Sequence, residues 1–166
     1  VQVAQAAVNG GAHSFGVARM EEAMELRQAG ILLPVLILGY TPREKYLEAL
    51  INHVSMAVWN QEQIEQIASI ARQIGITAHL HLKIDTGMSR LGVQPSEALP
   101  LSHSLANTPG IIYEGVFTHF AKADEDDQTV SDVQEQEFNL VLDHLRSHRL
   151  LPPIVHAANS AAVLKR

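Results

Sequence analysis

The chain has 166 residues, 46% of them apolar and 18% charged, which is the composition of one globular domain and too apolar to stay disordered. Twelve basic against eighteen acidic residues give a formal net charge of -6, so the global field repels phosphate backbones and anionic lipid and argues against a nucleic-acid partner. The absence of cysteine excludes a disulfide framework and thiolate chemistry; with no apolar stretch near the ~20 residues of a membrane crossing and no signal core, the expected location is cytoplasmic, without membrane contact by this segment.

Residues 1–10 read as the second half of a helix closed by Gly10 and Gly11. A strand over 13–18 precedes a helix over 20–29, with Met20, Ala23, Met24 and Arg27 on one face and Gly30 as its stop. A strand at 35–38 and a helix near 42–51 follow, then a strand at 54–58. The clearest helix spans 61–74, where Ile64, Ile67, Ala68, Ala71 and Ile74 share a face between Asn60 as N-cap and Gly75 as stop. Next come a strand at 78–84, a helix near 95–105 and a strand at 113–119. A helix over 131–147 carries Phe138, Leu142 and Leu145 inward and ends before Pro152 and Pro153. A sixth strand at 154–157 leads to residues 159–166, where another helix begins.

Strands alternating with helices make the class α/β around a parallel sheet. The first strands start about twenty residues apart, a pitch common to barrels and doubly wound sheets. A doubly wound nucleotide-binding sheet would show G-x-G-x-x-G or a P-loop after an early strand, and neither occurs. The expected fold is a parallel (β/α)8 TIM-type barrel, incomplete here: about six strands, with the first and last units missing, against the ~250 residues of a whole barrel.

Alternation along the fourth strand puts Leu80, Leu82 and Ile84 on one face and His79, His81, Lys83 and Asp85 on the other. On a barrel strand the polar face meets the lumen, with Lys83 and Asp85 at the C-terminal mouth where functional sites lie. The loop that follows carries Arg90, a permanently charged forked donor, so KIDTGMSRLG has the outline of an anion-handling segment. An internal ion-paired ladder without a ligand explains the same pattern. A metal would need His119 and His156 to join His79 and His81, but these pairs are expected at different depths, and no metal is assigned. His119 closes the fifth strand as a catalytic, cofactor-orienting or merely structural histidine, ahead of an acidic turn, Asp124 to Asp127, that is given no chemistry. After His156, either Asn159 or Ser160 can cap the last helix, and first-turn amides beside a hydroxyl suit a phosphate.

KIDTGMSRLGV at 83–93, GVFTHFAKADEDD at 115–127 and HAANSAAVL at 156–164, with GVARMEEAMELRQAGI at 16–31, resemble the barrel domain of bacterial alanine racemases in order along the whole chain. The related serine racemases share these motifs. The resemblance implies a pyridoxal 5'-phosphate enzyme, a C-terminal β-domain that would lie outside this chain, and a homodimer with residues of both subunits at each site. It implies that Arg90 approaches the cofactor's phenolic oxygen and the substrate carboxylate, and that Lys83 supports it, often as a carbamate. His119 and His156 would belong to a network behind the pyridine nitrogen, and Ser160, beside Asn159, would bind the phosphate. Arg90 and His119 would be catalytic; all six would be cofactor-binding. The implied reaction joins substrate amine and cofactor aldehyde as an imine, removes the α-proton on one face and returns it on the other.

The chain departs from that pattern by lacking the family's cofactor-binding lysine, expected upstream of residue 1, the tyrosine of the same segment, the pyridine-facing arginine and the catalytic tyrosine of the second domain. Of its lysines, Lys45, Lys83, Lys122 and Lys165, only Lys83 is expected at the site. The 166 residues alone are therefore expected to be inactive. The alternatives are a serine racemase, a non-catalytic pyridoxal phosphate-binding barrel, and a remnant that folds only with its missing strands.

Overall fold

The computed structural model describes residues 1–165. Helix α1 (Gln2–Asn9) leads to β1 (Phe15–Val17), α2 (Met20–Gln28), β2 (Val35–Ile37), α3 (Tyr46–Ile51), β3 (Val54–Val58), α4 (Gln61–Ile74) and β4 (Ala78–Lys83). Then follow α5 (Ala98–Asn107), β5 (Ile111–Phe117), α6 (Thr129–Ser147), β6 (Ile154–His156) and α7 (Ser160–Lys165). Short 3-10 turns, Arg43–Lys45 and Pro95–Glu97, precede α3 and α5.

All six strands are parallel and pair in sequence order, which is what successive βα units of a barrel produce. The sheet curls: residues of β1 and of β6 line one concave cavity of about 470 Å3. This is an incomplete (β/α) TIM-type barrel with helices on its convex side.

The core fills the space between sheet and helices. Val35, Ile37, Val54, Met56, Val58, Leu80, Leu82, Ile84 and Val116 form its sheet side, and Ile64, Ile67, Ala71, Leu105, Phe138 and Leu145 come from the helices. Helix α4 follows its sequence signals closely: Asn60 Oδ1 accepts from the Gln63 amide at 2.9 Å, and Gly75 ends the helix at φ 70. Ile74, assigned to its inner face, is half out. In α2 the inner face is Met20, Ala23 and Leu26. Met24 is only partly covered, and Arg27 turns its guanidinium to the carbonyls of Ile31, Leu33, Asn52 and His53. Arg27 thereby ties the C-terminal end of α2 to the residues that follow α3.

Truncating Leu82, which is fully buried on β4, to alanine is expected to lower the unfolding free energy by about 2–5 kcal/mol in urea melts. Ile112→Ala, at an exposed position of β5, is expected to change it by less than about 1 kcal/mol.

Candidate active site at the barrel's C-terminal rim

The strand register aligns Lys83 with Phe117 and Phe117 with His156, so these three stand at one level on neighbouring strands. Lys83 is buried; its Nζ donates to the Leu38 carbonyl at 2.9 Å and lies 5.3 Å from the Phe117 ring centre. Burial and the positive charge of Arg90 push the Lys83 amine below its usual pKa, against a smaller opposing effect of Asp85.

Arg90 is carried by a loop whose ends are fixed before its tip. The Asp85 amide donates to the Val93 carbonyl and the Val93 amide to the Lys83 carbonyl, at 2.8 and 2.9 Å. Asp85 Oδ1 accepts from the amides of Gly87 and Ser89, at 3.0 and 2.9 Å. Gly92 is required where the loop returns: it sits at φ 134, and a Cβ there would lie 2.7 Å from the Asp85 nitrogen. The arginine is exposed at the rim.

His119 lies two residues beyond β5 and is half-buried. Burial first, then the positive charges of Lys83 and Arg90, lower its pKa and favour the neutral imidazole. Those couplings place His119, Lys83 and Arg90 in one electrostatic neighbourhood. The turn after β6 reaches the same region, because Asn159 Nδ2 donates to the Phe120 carbonyl at 3.2 Å. Asn159 Oδ1 accepts from the Ala162 amide at 3.0 Å, capping α7 and leaving Ser160 exposed in its first turn. The C-terminal rim thus holds Lys83, Arg90, His119 and the Asn159–Ser160 turn.

Below the rim the lumen contains an arrangement that sequence reading missed. The β4–β5 register slips between Leu80 and His81, so that Leu80 faces Tyr113 but His81 faces Gly115, and Glu114 is the extra residue of a bulge. Glu114 accepts from Ser55 Oγ at 2.7 Å and meets His81 Nε2 at 3.1 Å and His79 Nδ1 at 2.9 Å. Hydrogen bonding to His81 and to Ser55 and His79 overcomes the burial penalty and holds its carboxyl at a pKa of about 2. Gly115 has no side chain, and a Cβ there would fall 2.3 Å from His81 Nδ1. Through that gap His81 crosses β5 and brings Nδ1 to 3.3 Å from Nε2 of His156. The expected difference in depth between His81 and His156 holds for their backbones and fails for their rings, which meet. His156 stacks on Phe117 with ring centres 4.6 Å apart and planes 6° apart, and burial, with the His81 charge, lowers its pKa to about 4. Among the described residues no group of three or more His, Cys, Asp or Glu is placed to hold a metal ion.

A second missed residue is Gln134 of α6, which is buried. Its Oε1 accepts from the Ala121 amide at 2.8 Å, and its Nε2 donates to the His119 carbonyl at 3.1 Å and to Thr86 Oγ1 at 3.4 Å. Thr86 in turn bonds Thr118 at 2.7 Å, and Thr118 donates to the Ile84 carbonyl at 2.9 Å. The exits of β4 and β5 are therefore bolted together. The acidic turn is held by its own contacts: Asp127 Oδ1 accepts from the amide and hydroxyl of Thr129, the first residue of α6, and Lys165 reaches Asp126 and the carbonyls of Asp124 and Glu125.

The sequence profile described as the alanine racemase N-terminal domain matches residues 1–166. The chain belongs to that family. An alanine racemase of Desulfovibrio desulfuricans is 40% identical over 164 residues, covering 99% of this chain and 44% of its own length. The alanine racemase of Clostridium difficile 630 has a solved structure that superposes with a TM-score of 0.94 at 38% identity, over 98% of this chain and 45% of that one. A histidine racemase of Leuconostoc mesenteroides superposes with a TM-score of 0.86 at 26% identity, over 96% of this chain and 42% of that one. The chain spans less than half the length of these alanine racemases. No helix among the described residues is long and apolar enough to cross a membrane.

Both lumenal shifts give stability the same sign with pH. His156 binds its proton later in the folded than in the unfolded chain, so stability falls as pH drops from 6.5 towards 4. Glu114, ionised down to about 2 when folded, loses its stabilisation as pH drops from 4.5 to 2. Unfolding free energies from urea melts are expected to decline through both windows, each group contributing a slope of at most about 1.4 kcal/mol per pH unit. Glu114→Gln is expected to flatten the lower window and His156→Gln the upper; an unchanged slope in either variant contradicts the assignment.

Proposed function

We propose that this chain is the barrel portion of a pyridoxal 5'-phosphate-dependent amino-acid racemase that interconverts L-alanine and D-alanine and so supplies D-alanine for peptidoglycan. In this reading a C-terminal β-domain completes the protein, which works as a cytoplasmic homodimer. Membership of the alanine racemase N-terminal domain family supports the reaction class. The observation that carries the site is the gathering of two cationic side chains, a half-buried imidazole and a capped helix turn at one rim. Such a donor set fits a phosphorylated ring and a substrate carboxylate.

Pyridoxal phosphate, when bound, supplies an electrophilic aldehyde and an electron sink for the substrate's α-carbon. Ser160 Oγ and the first-turn amides would hold the phosphate, while Asn159 keeps that turn against the Phe120 carbonyl. Arg90 would pair its fork with the substrate carboxylate or the phenolic oxygen, from a loop fixed before ligand arrives. The lowered pKa of Lys83 eases its loss of a proton to the neutral amine, the form that would add carbon dioxide to give a carbamate and a proton; that anion would steady Arg90. His119, held neutral, would serve as a hydrogen-bonding group rather than a charge, and His156 would stand behind it on the stacked Phe117 ring.

One observation favours a second reading, racemisation of another amino acid: the histidine racemase shares this barrel. The test incubates the protein carrying this domain with pyridoxal 5'-phosphate and L-alanine in heavy water, following α-deuteration and D-alanine. Exchange is expected with alanine preferred over serine and histidine, and Arg90→Lys is expected to cut kcat/KM by about a hundredfold. Undiminished activity in Arg90→Lys would remove that residue's role, and faster exchange of another amino acid would select the second reading. The 166 residues alone are expected to give no turnover.

A further inference from the structure

His81 is the centre of a hydrogen-bonded chain whose polarity follows from counting lone pairs. Its Nε2 lies 3.1 Å from Glu114 Oε2, and the same oxygen accepts from Ser55 Oγ at 2.7 Å. The other carboxylate oxygen meets His79 Nδ1 at 2.9 Å. An ionised carboxylate only accepts, so His81 carries hydrogen on Nε2 whether it is neutral or charged. The remaining variable is the proton between His81 Nδ1 and His156 Nε2, 3.3 Å apart.

If His81 is neutral, its Nδ1 holds a lone pair; His156 then donates from Nε2 and keeps its own lone pair on Nδ1. If His81 is charged, it donates from Nδ1, and the neutral His156 must accept at Nε2 and carry its hydrogen on Nδ1. We propose that Glu114 and His81 are positioning residues that fix which ring nitrogen of His156 bears its proton, and that charging His81 exchanges the two. The step balances as a relay: a proton taken up from solvent at Nδ1 of His156 is matched by transfer of its Nε2 proton to Nδ1 of His81, leaving His156 neutral with its tautomer reversed.

The surroundings suit this relay. Stacking on Phe117 holds the His156 plane, and Gly115 leaves the space in which the two rings meet. Burial and the His81 charge keep His156 from becoming charged itself until about pH 4. The titratable groups facing the pair are Glu114 from β5, His79 from β4 across the carboxylate, Lys83 from β4 over the Phe117 ring, and His13 lining the same cavity. The consequence is that His156 Nδ1 is an acceptor or a donor according to the charge on its neighbour. Only its relevance to cofactor chemistry rests on the racemase reading: there the relay sets the polarity of the network behind the cofactor ring.

The test is a two-bond proton–nitrogen correlation spectrum of the protein, labelled with 15N in its histidines, recorded across pH. Above the titration of His81, His156 is expected to show a pyrrole-like Nε2 and a pyridine-like Nδ1; below it the two signatures exchange, with the midpoint of the His81 titration. In Glu114→Gln, where an amide that can donate as well as accept replaces the carboxylate that only accepts from His81 Nε2, the two rings are expected to lose their coupled exchange. A His156 tautomer unchanged through the His81 titration overturns the proposal, as does a coupled exchange that Glu114→Gln leaves unaltered. The wild-type titration decides the first point even where the variant does not fold. A protein that shows the exchange but racemises no alanine refutes the functional reading and leaves this one standing.

Discussion

The interior of this half-barrel is organised by one side chain passing over another residue's missing one. His81 belongs to β4 and His156 to β6, with β5 between them, and they touch because position 115 is glycine. The bulge that introduces Glu114 turns a carboxylate into the same space, where it satisfies His81, His79 and Ser55 together. Burying a carboxylate in a barrel lumen is costly unless its lone pairs are occupied, and here three donors meet it. Four strands, β3 to β6, are thereby linked through side chains as well as through backbone, and Phe117 and His156 stack as a floor beneath the rim.

On that floor the rim assembles cationic and neutral donors whose positions do not depend on one another's charge. Lys83 is held by the Leu38 carbonyl, Arg90 by a loop closed with backbone hydrogen bonds, and the His119 segment by Gln134. Burial and the neighbouring charge of Arg90 both lower the pKa of Lys83, and the Leu38 carbonyl holds its amine in place against that repulsion. A rim preset in this way costs a ligand little ordering, which is how a binding site gains affinity from rigidity.

The strands and helices were legible from periodicity because each buries one face: Ile64, Ile67 and Ala71 recur at helical spacing, and Leu80, Leu82 and Ile84 at strand spacing. The rim was legible because parallel strands deliver whatever follows them to a common end, so Arg90, His119 and Ser160 could be grouped from chain order alone. The lumenal network was less so. Glu114 stood inside an apolar strand, IIYEGVF, and a lone acid there is a signal of a buried partner. Which partner depends on a one-residue slip in register, and strand alternation cannot foresee a bulge. Gln134 gave no signal, since a polar residue on a long amphipathic helix reads as solvent-facing until the neighbouring strand exits are seen.

The central claim is that this single rim receives one phosphorylated aromatic ring. A crystal structure of the protein with pyridoxal 5'-phosphate bound tests it directly. The account predicts phosphate oxygens on Ser160 and the first-turn amides of α7, with the ring between Arg90 and the His119 side of the mouth. Density for the cofactor at the opposite end of the sheet, beside Arg27 and His53, or on the outer helices would contradict it.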